Sequence, residues 1–130
     1  MSVESKDYIE WFEKADHDLG SARIIFIHNP EYFDTIAFHC QQAVEKYLKA
    51  ALIFYNIGFL RTHDLIYLLD LLSDRHDINE AVYDMAIRLN GFSIKIRYPN
   101  KKIFLSKEDL EYTISVAEYF REYIAGIIEI

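Results

Sequence analysis

Six basic residues, Arg88, Lys95, Arg97, Lys101, Lys102 and Lys107, stand in one stretch with no acid among them, although the 130-residue chain carries a net charge of −7. All 21 acids lie elsewhere. Such asymmetry can build a positive surface for phosphate or for an acidic partner on an otherwise acidic protein. Inside the stretch Tyr98 adjoins Arg97, and a ring beside a guanidinium can hold a base and a phosphate together. Read as plain structure, Tyr98-Pro99 anchors a loop. Lys95, Arg97, Tyr98, Lys101 and Lys102 are the first candidate ligand-binding residues.

A second set lies earlier. Gln42, Glu45, Lys46 and Lys49 are separated by steps of three and four, which places them on one ridge of a helix, and Glu45 can pair with Lys49 along it. A charged helix face is ordinarily a solvated one. His63 follows Thr62, where a neutral imidazole at the start of a helix is the ordinary reading and a ligand contact the functional one. His39 and Cys40 are neighbours, and adjacent helical residues point about 100° apart, so they do not share an ion. No acid-histidine spacing suggests a metal site, and neither metal nor cofactor is expected. His17, His28 and His76 read as surface residues.

The elements that must position these groups are helices. Tyr8, Phe12, Ala15, Leu19, Ala22 and Phe26 recur at steps of four and three, which predicts a helix over residues 5–28. Asn29-Pro30 stops it, and proline suits the first turn of the helix that follows. Phe33, Ala37, Cys40, Val44, Tyr47, Ala51 and Phe54 carry that second helix through residue 55, with Gly58 ending it. Thr62 is the expected N-cap of a third, shorter helix over 63–72 that faces Leu65, Leu68, Leu69 and Leu72 inward. Ile78, Val82, Met85, Ala86 and Leu89 make a fourth stripe that Asn90-Gly91 closes as a left-handed cap. Residues 92–105 read as an ordered loop. Ser106 and Asp109 then form an approximate capping box for a last helix bearing Leu110, Ile114, Ala117, Phe120, Ile124 and Ile127.

Together these stripes predict one all-α domain over residues 1–130: an antiparallel up-and-down bundle of three long and two shorter helices. The length suits one domain, the 52% apolar content supplies a core, and 4 Gly with 2 Pro are too few for the turns of a sandwich or barrel. One cysteine makes no internal disulfide, acids stand near the first residue, and no apolar run approaches the ~20 residues of a membrane span. A cytoplasmic location without membrane contact is expected.

Four pieces in order add to this reading: WFEKADHDLGSA (11–22), FHCQQAVEKYLKA (38–50), RTHDL (61–65) and RYPN (97–100). Their order and spacing resemble the HEPN domain, the small helical domain named for higher eukaryotes and prokaryotes nucleotide-binding. The resemblance implies a helical bundle working as a homodimer, often beside a minimal nucleotidyltransferase in a pair like a toxin and its antitoxin. It also raises the alternative that the ridge from Gln42 to Lys49 lines a ligand groove or the dimer contact.

Many members of that family are metal-free ribonucleases that depend on an Arg followed by four to six residues and then a His. Here Arg97 has no His downstream of it. Arg23 and His28 match the spacing, but in the first helix, with side chains about 140° apart, and the match is discounted. Cleavage needs a base for the 2′-hydroxyl proton and a cation for the phosphate. Arg97 could be the cation, and His39 or His63 would have to be brought in as the base. The resulting expectation is a nucleotide- or RNA-binding partner of a nucleotidyltransferase, leaning away from an enzyme. The alternatives are an endoribonuclease toxin using Arg97, and a helical interaction module without a nucleotide ligand.

Overall fold

A computed structural model describes residues 7–92 and 104–130. Five helices account for 75% of them: α1 (Asp7–His28), α2 (Phe33–Phe54), α3 (Leu65–Leu72), α4 (Glu80–Asn90) and α5 (Lys107–Ile127). The described residues contain no strand.

The apolar stripes read from the sequence are the faces that pack. Phe12, Ala15, Leu19 and Ala22 of α1 are buried, as are Leu65, Leu68, Leu69 and Leu72 of α3, and Val82, Ala86 and Leu89 of α4. α2 is the central element, with thirteen of its residues buried, and it packs against every other helix. A helix enclosed on most sides needs small residues where neighbours cross closely, and Ala37, Ala43, Ala50 and Ala51 supply them. α1 runs antiparallel to α2, since Tyr8 meets Phe54, Phe12 meets Tyr47 and Asp18 meets His39. It is antiparallel to α5 as well, through Arg23 with Glu118 and Asp16 with Arg121.

Helix ends explain the differences from the sequence reading. α2 starts at Phe33, after Pro30, because residues 29–32 form a turn in which the Tyr32 N–H donates to the Asn29 carbonyl. α2 closes at Asn56, not Gly58. Asn56 takes φ 59°, while Ile57 N–H reaches the Leu52 carbonyl and Asn56 N–H the Ile53 carbonyl, the paired bonds of a Schellman end. Asp64, not Thr62, caps α3: its carboxylate accepts from the Ile66 N–H at 3.0 Å, whereas the Thr62 hydroxyl accepts from the Asp64 N–H. Asn79 caps α4 by accepting from Val82 N–H, which leaves Ile78 outside the helix. Gly91 has φ −77°, an ordinary right-handed value, so α4 does not end in a left-handed cap. At α5 the Ser106–Asp109 capping box forms in both directions.

Candidate functional site

Glu45 and Lys49 sit one turn apart on α2 but do not form a solvated face. They are 3% and 7% exposed, and the Lys49 ammonium donates to Glu45 Oε2 at 3.0 Å. Trp11 of α1 and Phe59 of the α2–α3 connection lay their rings over that ammonium, at 5.5 and 5.8 Å from ring centre. A charge pair can be buried this way because each ion keeps a partner and the rings contribute a further favourable field.

The second oxygen of Glu45 holds His63. Nδ1 lies 2.9 Å from Oε1, while the His63 side chain remains 48% exposed. Its backbone is fixed too, since Gln41, fully buried, donates through Nε2 to the His63 carbonyl at 3.1 Å. Asp64 then caps α3 and accepts from Asn90 Nδ2, while Asn90 Oδ1 accepts from the Leu65 N–H. His63 is thus placed by α2 from beneath and by the α3 and α4 ends beyond it. Because a charged carboxylate only accepts, the neutral ring keeps its proton on Nδ1 and its lone pair on Nε2. Such an imidazole takes a proton when neutral and donates to an anionic oxygen when protonated.

A matching arrangement lies on the α1 side. His39 Nδ1 is 2.9 Å from Asp18 Oδ1, and Lys46 donates to Asp18 Oδ2. Burial alone would raise the Asp18 carboxyl, but the His39 and Lys46 bonds outweigh it and hold the group below the usual aspartate range. By helix geometry Gln42 stands about 60° from His39 on one side and about 60° from Glu45 on the other. Along the strip of α2 between α1 and α3 therefore lie two histidines, His39 of α2 itself and His63 of the α2–α3 connection, each held at Nδ1 by a buried or half-buried carboxylate. Gln42 spends one donor on Gln41 Oε1 at 2.8 Å.

The other polar cluster is structural. Tyr47, fully buried, donates to Asp16 Oδ1 at 2.6 Å, and Arg121 Nε donates to the same oxygen at 2.8 Å while its guanidinium lies over Phe12. It ties α1, α2 and α5 together. Burial and the Asp16 carboxylate push the Tyr47 hydroxyl far above its ordinary range, so it stays a donor. Burial first, and then Glu118, push the Cys40 thiol up to about 12, which removes it as a nucleophile near neutral pH.

The expected site residues divide accordingly. Gln42, Glu45, Lys46, Lys49 and His63 come together on the α2 strip, with Glu45 and Lys49 beneath it rather than in solvent. His63 is not a helix cap, because Asp64 holds that position. Lys95, Arg97, Tyr98, Lys101 and Lys102 lie outside the described residues. His76, expected at the surface, is half-buried and bonded through Nε2 to the Tyr55 hydroxyl. Arg23 pairs with Glu118 at 2.5 Å on α5, whereas His28 is exposed at the end of α1. Asp18, Gln41, Trp11 and Phe59 were not anticipated. Trp11, Asp18 and Gln41 were present in the sequence only within WFEKADHDL and FHCQQ, segments whose partners are distant along the chain, and nothing in the sequence singles out Phe59. Among the described residues no group of three or more His, Cys, Asp or Glu is placed to hold a metal ion, and no helix is long and apolar enough to cross a membrane.

Comparison with known proteins gives two results. The HEPN domain family matches residues 8–127. The crystal structure of ST0689, an archaeal HEPN homologue, superposes with a TM-score of 0.76 at 24% identity, covering 93% of this chain and 97% of the other. Among curated proteins, none matches the chain significantly.

Proposed function

This chain belongs to the HEPN domain family, and from that premise we propose that it is a nucleotide- or RNA-binding protein that acts as a homodimer beside a minimal nucleotidyltransferase, in a pair like a toxin and its antitoxin. One observation carries the binding role: His63 is half-exposed and yet held in a fixed position, at Nδ1, by the buried Glu45. Building it requires a buried ion pair, two aromatic rings and a buried glutamine. A surface histidine with no task needs none of these. Lys95, Arg97, Tyr98, Lys101 and Lys102 supply the phosphate contacts in this reading, within ten residues of Phe92 along the chain.

Titration of nucleoside monophosphates and short RNA by calorimetry tests it. His63→Ala should weaken binding at least tenfold, and Lys101→Ala with Lys102→Ala should weaken it and flatten its salt dependence by about one counterion per cation. Absence of binding by the native chain contradicts the role. Light scattering should give the mass of a dimer at micromolar concentration, and a monomer contradicts that part. A minimal nucleotidyltransferase encoded beside this chain and purifying with it supports the pairing; failure of such a neighbour to associate overturns it.

A second reading, a metal-free endoribonuclease using Arg97, is favoured by the same imidazole. Spacing leaves Arg97 without a histidine base, and a neutral His63, whose Nε2 has no partner among the described residues, is chemically fit to take a 2′-hydroxyl proton. Cleavage of total RNA in a chelator, abolished by both Arg97→Ala and His63→Ala, would establish it; inert RNA would leave the binding role alone.

A further inference from the structure

We propose that Asp18, His39 and Lys46 form a second ribonucleotide subsite beside His63, so that the ligand is a single RNA strand of two or more residues and not a free mononucleotide. The proposal rests on the nucleotide-binding reading above and specifies its substrate class.

Three features of the strip support it. The first is chemical. Asp18, with its side chain 13% exposed, lies behind His39 and Lys46, which are 26% and 24% exposed. A neutral His39 donates its Nδ1–H to Asp18 and keeps an accepting Nε2; Lys46 spends one of three N–H groups on Asp18 and, among the described residues, keeps two. An acceptor and a cationic donor side by side match a ribose 2′-hydroxyl and its adjoining phosphate oxygen. DNA lacks that hydroxyl.

The second feature is spacing. His39 and Glu45, the residue that holds His63, are six residues apart on α2, an axial distance of about 9 Å. One phosphate cannot span that distance, but consecutive units of a strand can, and Gln42 lies between the two positions along the helix. The third is the flanking surface. Phe38 meets the His39 ring edge-on at 5.8 Å, and Trp11 and Phe59, both half-buried, lie beyond Lys49 at the other end. Bases stack on such rings with little sequence preference. Asp18 balances Lys46 and Glu45 balances Lys49, so the strip is close to neutral. Hydrogen bonding to hydroxyls, more than long-range attraction, then decides the preference for RNA.

Fluorescence anisotropy with labelled triuridylate, its deoxy counterpart and uridine monophosphate as competitor tests the proposal. The native chain should bind triuridylate at least tenfold tighter than the monophosphate or the deoxy trimer. His39→Asn keeps a donor for Asp18 and deletes the Nε2 acceptor; it should cost the triuridylate about tenfold, the deoxy trimer much less, and so erase the RNA preference. Lys46→Met should weaken both trimers alike and reduce the salt slope. Circular dichroism checks that each variant is folded, and if His39→Asn is not, Lys46→Met decides alone. Equal affinity for trimer and monophosphate, or trimer binding indifferent to both variants, overturns the second subsite. If the monophosphate still binds and depends on His63, the nucleotide-binding role survives that result. If no probe binds the native chain, both are lost.

Discussion

His63 Nδ1 lies 2.9 Å from Glu45 Oε1, and that carboxylate's other oxygen accepts from the buried Lys49 ammonium. One glutamate therefore does two things: it neutralises a lysine that has been removed from water, and it sets which nitrogen of a half-exposed histidine carries the proton. The first is a matter of stability and the second of chemistry. Substitutions can separate them.

Glu45→Gln leaves the Lys49 ammonium without its counter-ion beside Trp11 and Phe59, and Lys49→Met leaves the buried Glu45 with only His63; each should cost about 3–5 kcal/mol in urea denaturation. The double variant Glu45→Gln with Lys49→Met removes both charges and should cost clearly less than the sum of the two. Additive losses would mean that the pair is not coupled in the folded protein.

Asp18 should give the fold a specific acid sensitivity. Its carboxyl is held below the ordinary aspartate value of 3.8, so the stability it contributes is fully present above that pH and is lost as pH falls through the lower folded value. Asp18→Asn should lower stability near neutral pH by about 1–3 kcal/mol and flatten the decline below pH 4. An unchanged decline in that window would place the acid sensitivity in other carboxylates.

Asp64 links helix initiation to the site. Its side chain accepts from Ile66 N–H and from Asn90 Nδ2, next to His63. Asp64→Ala should cost about 1–2 kcal/mol, the usual value of a lost N-cap, and weaken nucleotide binding as well. Asp64→Asn, which caps nearly as well, should restore both. Binding that stays unaffected in a destabilised Asp64→Ala protein would show that the cap does not position His63.

Much of the fold was legible because helical periodicity is local. Every residue of the first stripe from Phe12 to Ala22 is buried, and Ser106 with Asp109 caps α5 as their spacing suggested. Helix ends were less legible: Thr62, Asp64, Gly58 and Asn56 are all competent cap residues, and the choice among them depends on backbone angles set by packing. The site was legible only in part. The spacing of Gln42, Glu45, Lys46 and Lys49 shows a polar ridge, but whether it faces water depends on Trp11, Asp18, Phe59 and His63, brought to it by the antiparallel path of α1 and the start of α3. Nothing in the interval between Glu45 and His63 encodes that the two meet.

The most direct test is the protonation and ligand response of one imidazole. In protein labelled with nitrogen-15 at histidine, the neutral form of His63 should show the proton on Nδ1 and a lone pair on Nε2. Adding uridine monophosphate or triuridylate should then shift His63 Nε2, and Glu45→Gln should reduce that response. A His63 that carries its proton on Nε2, or whose nitrogens are unmoved by every nucleotide probe while His63→Ala binds as well as the native chain, would contradict the account.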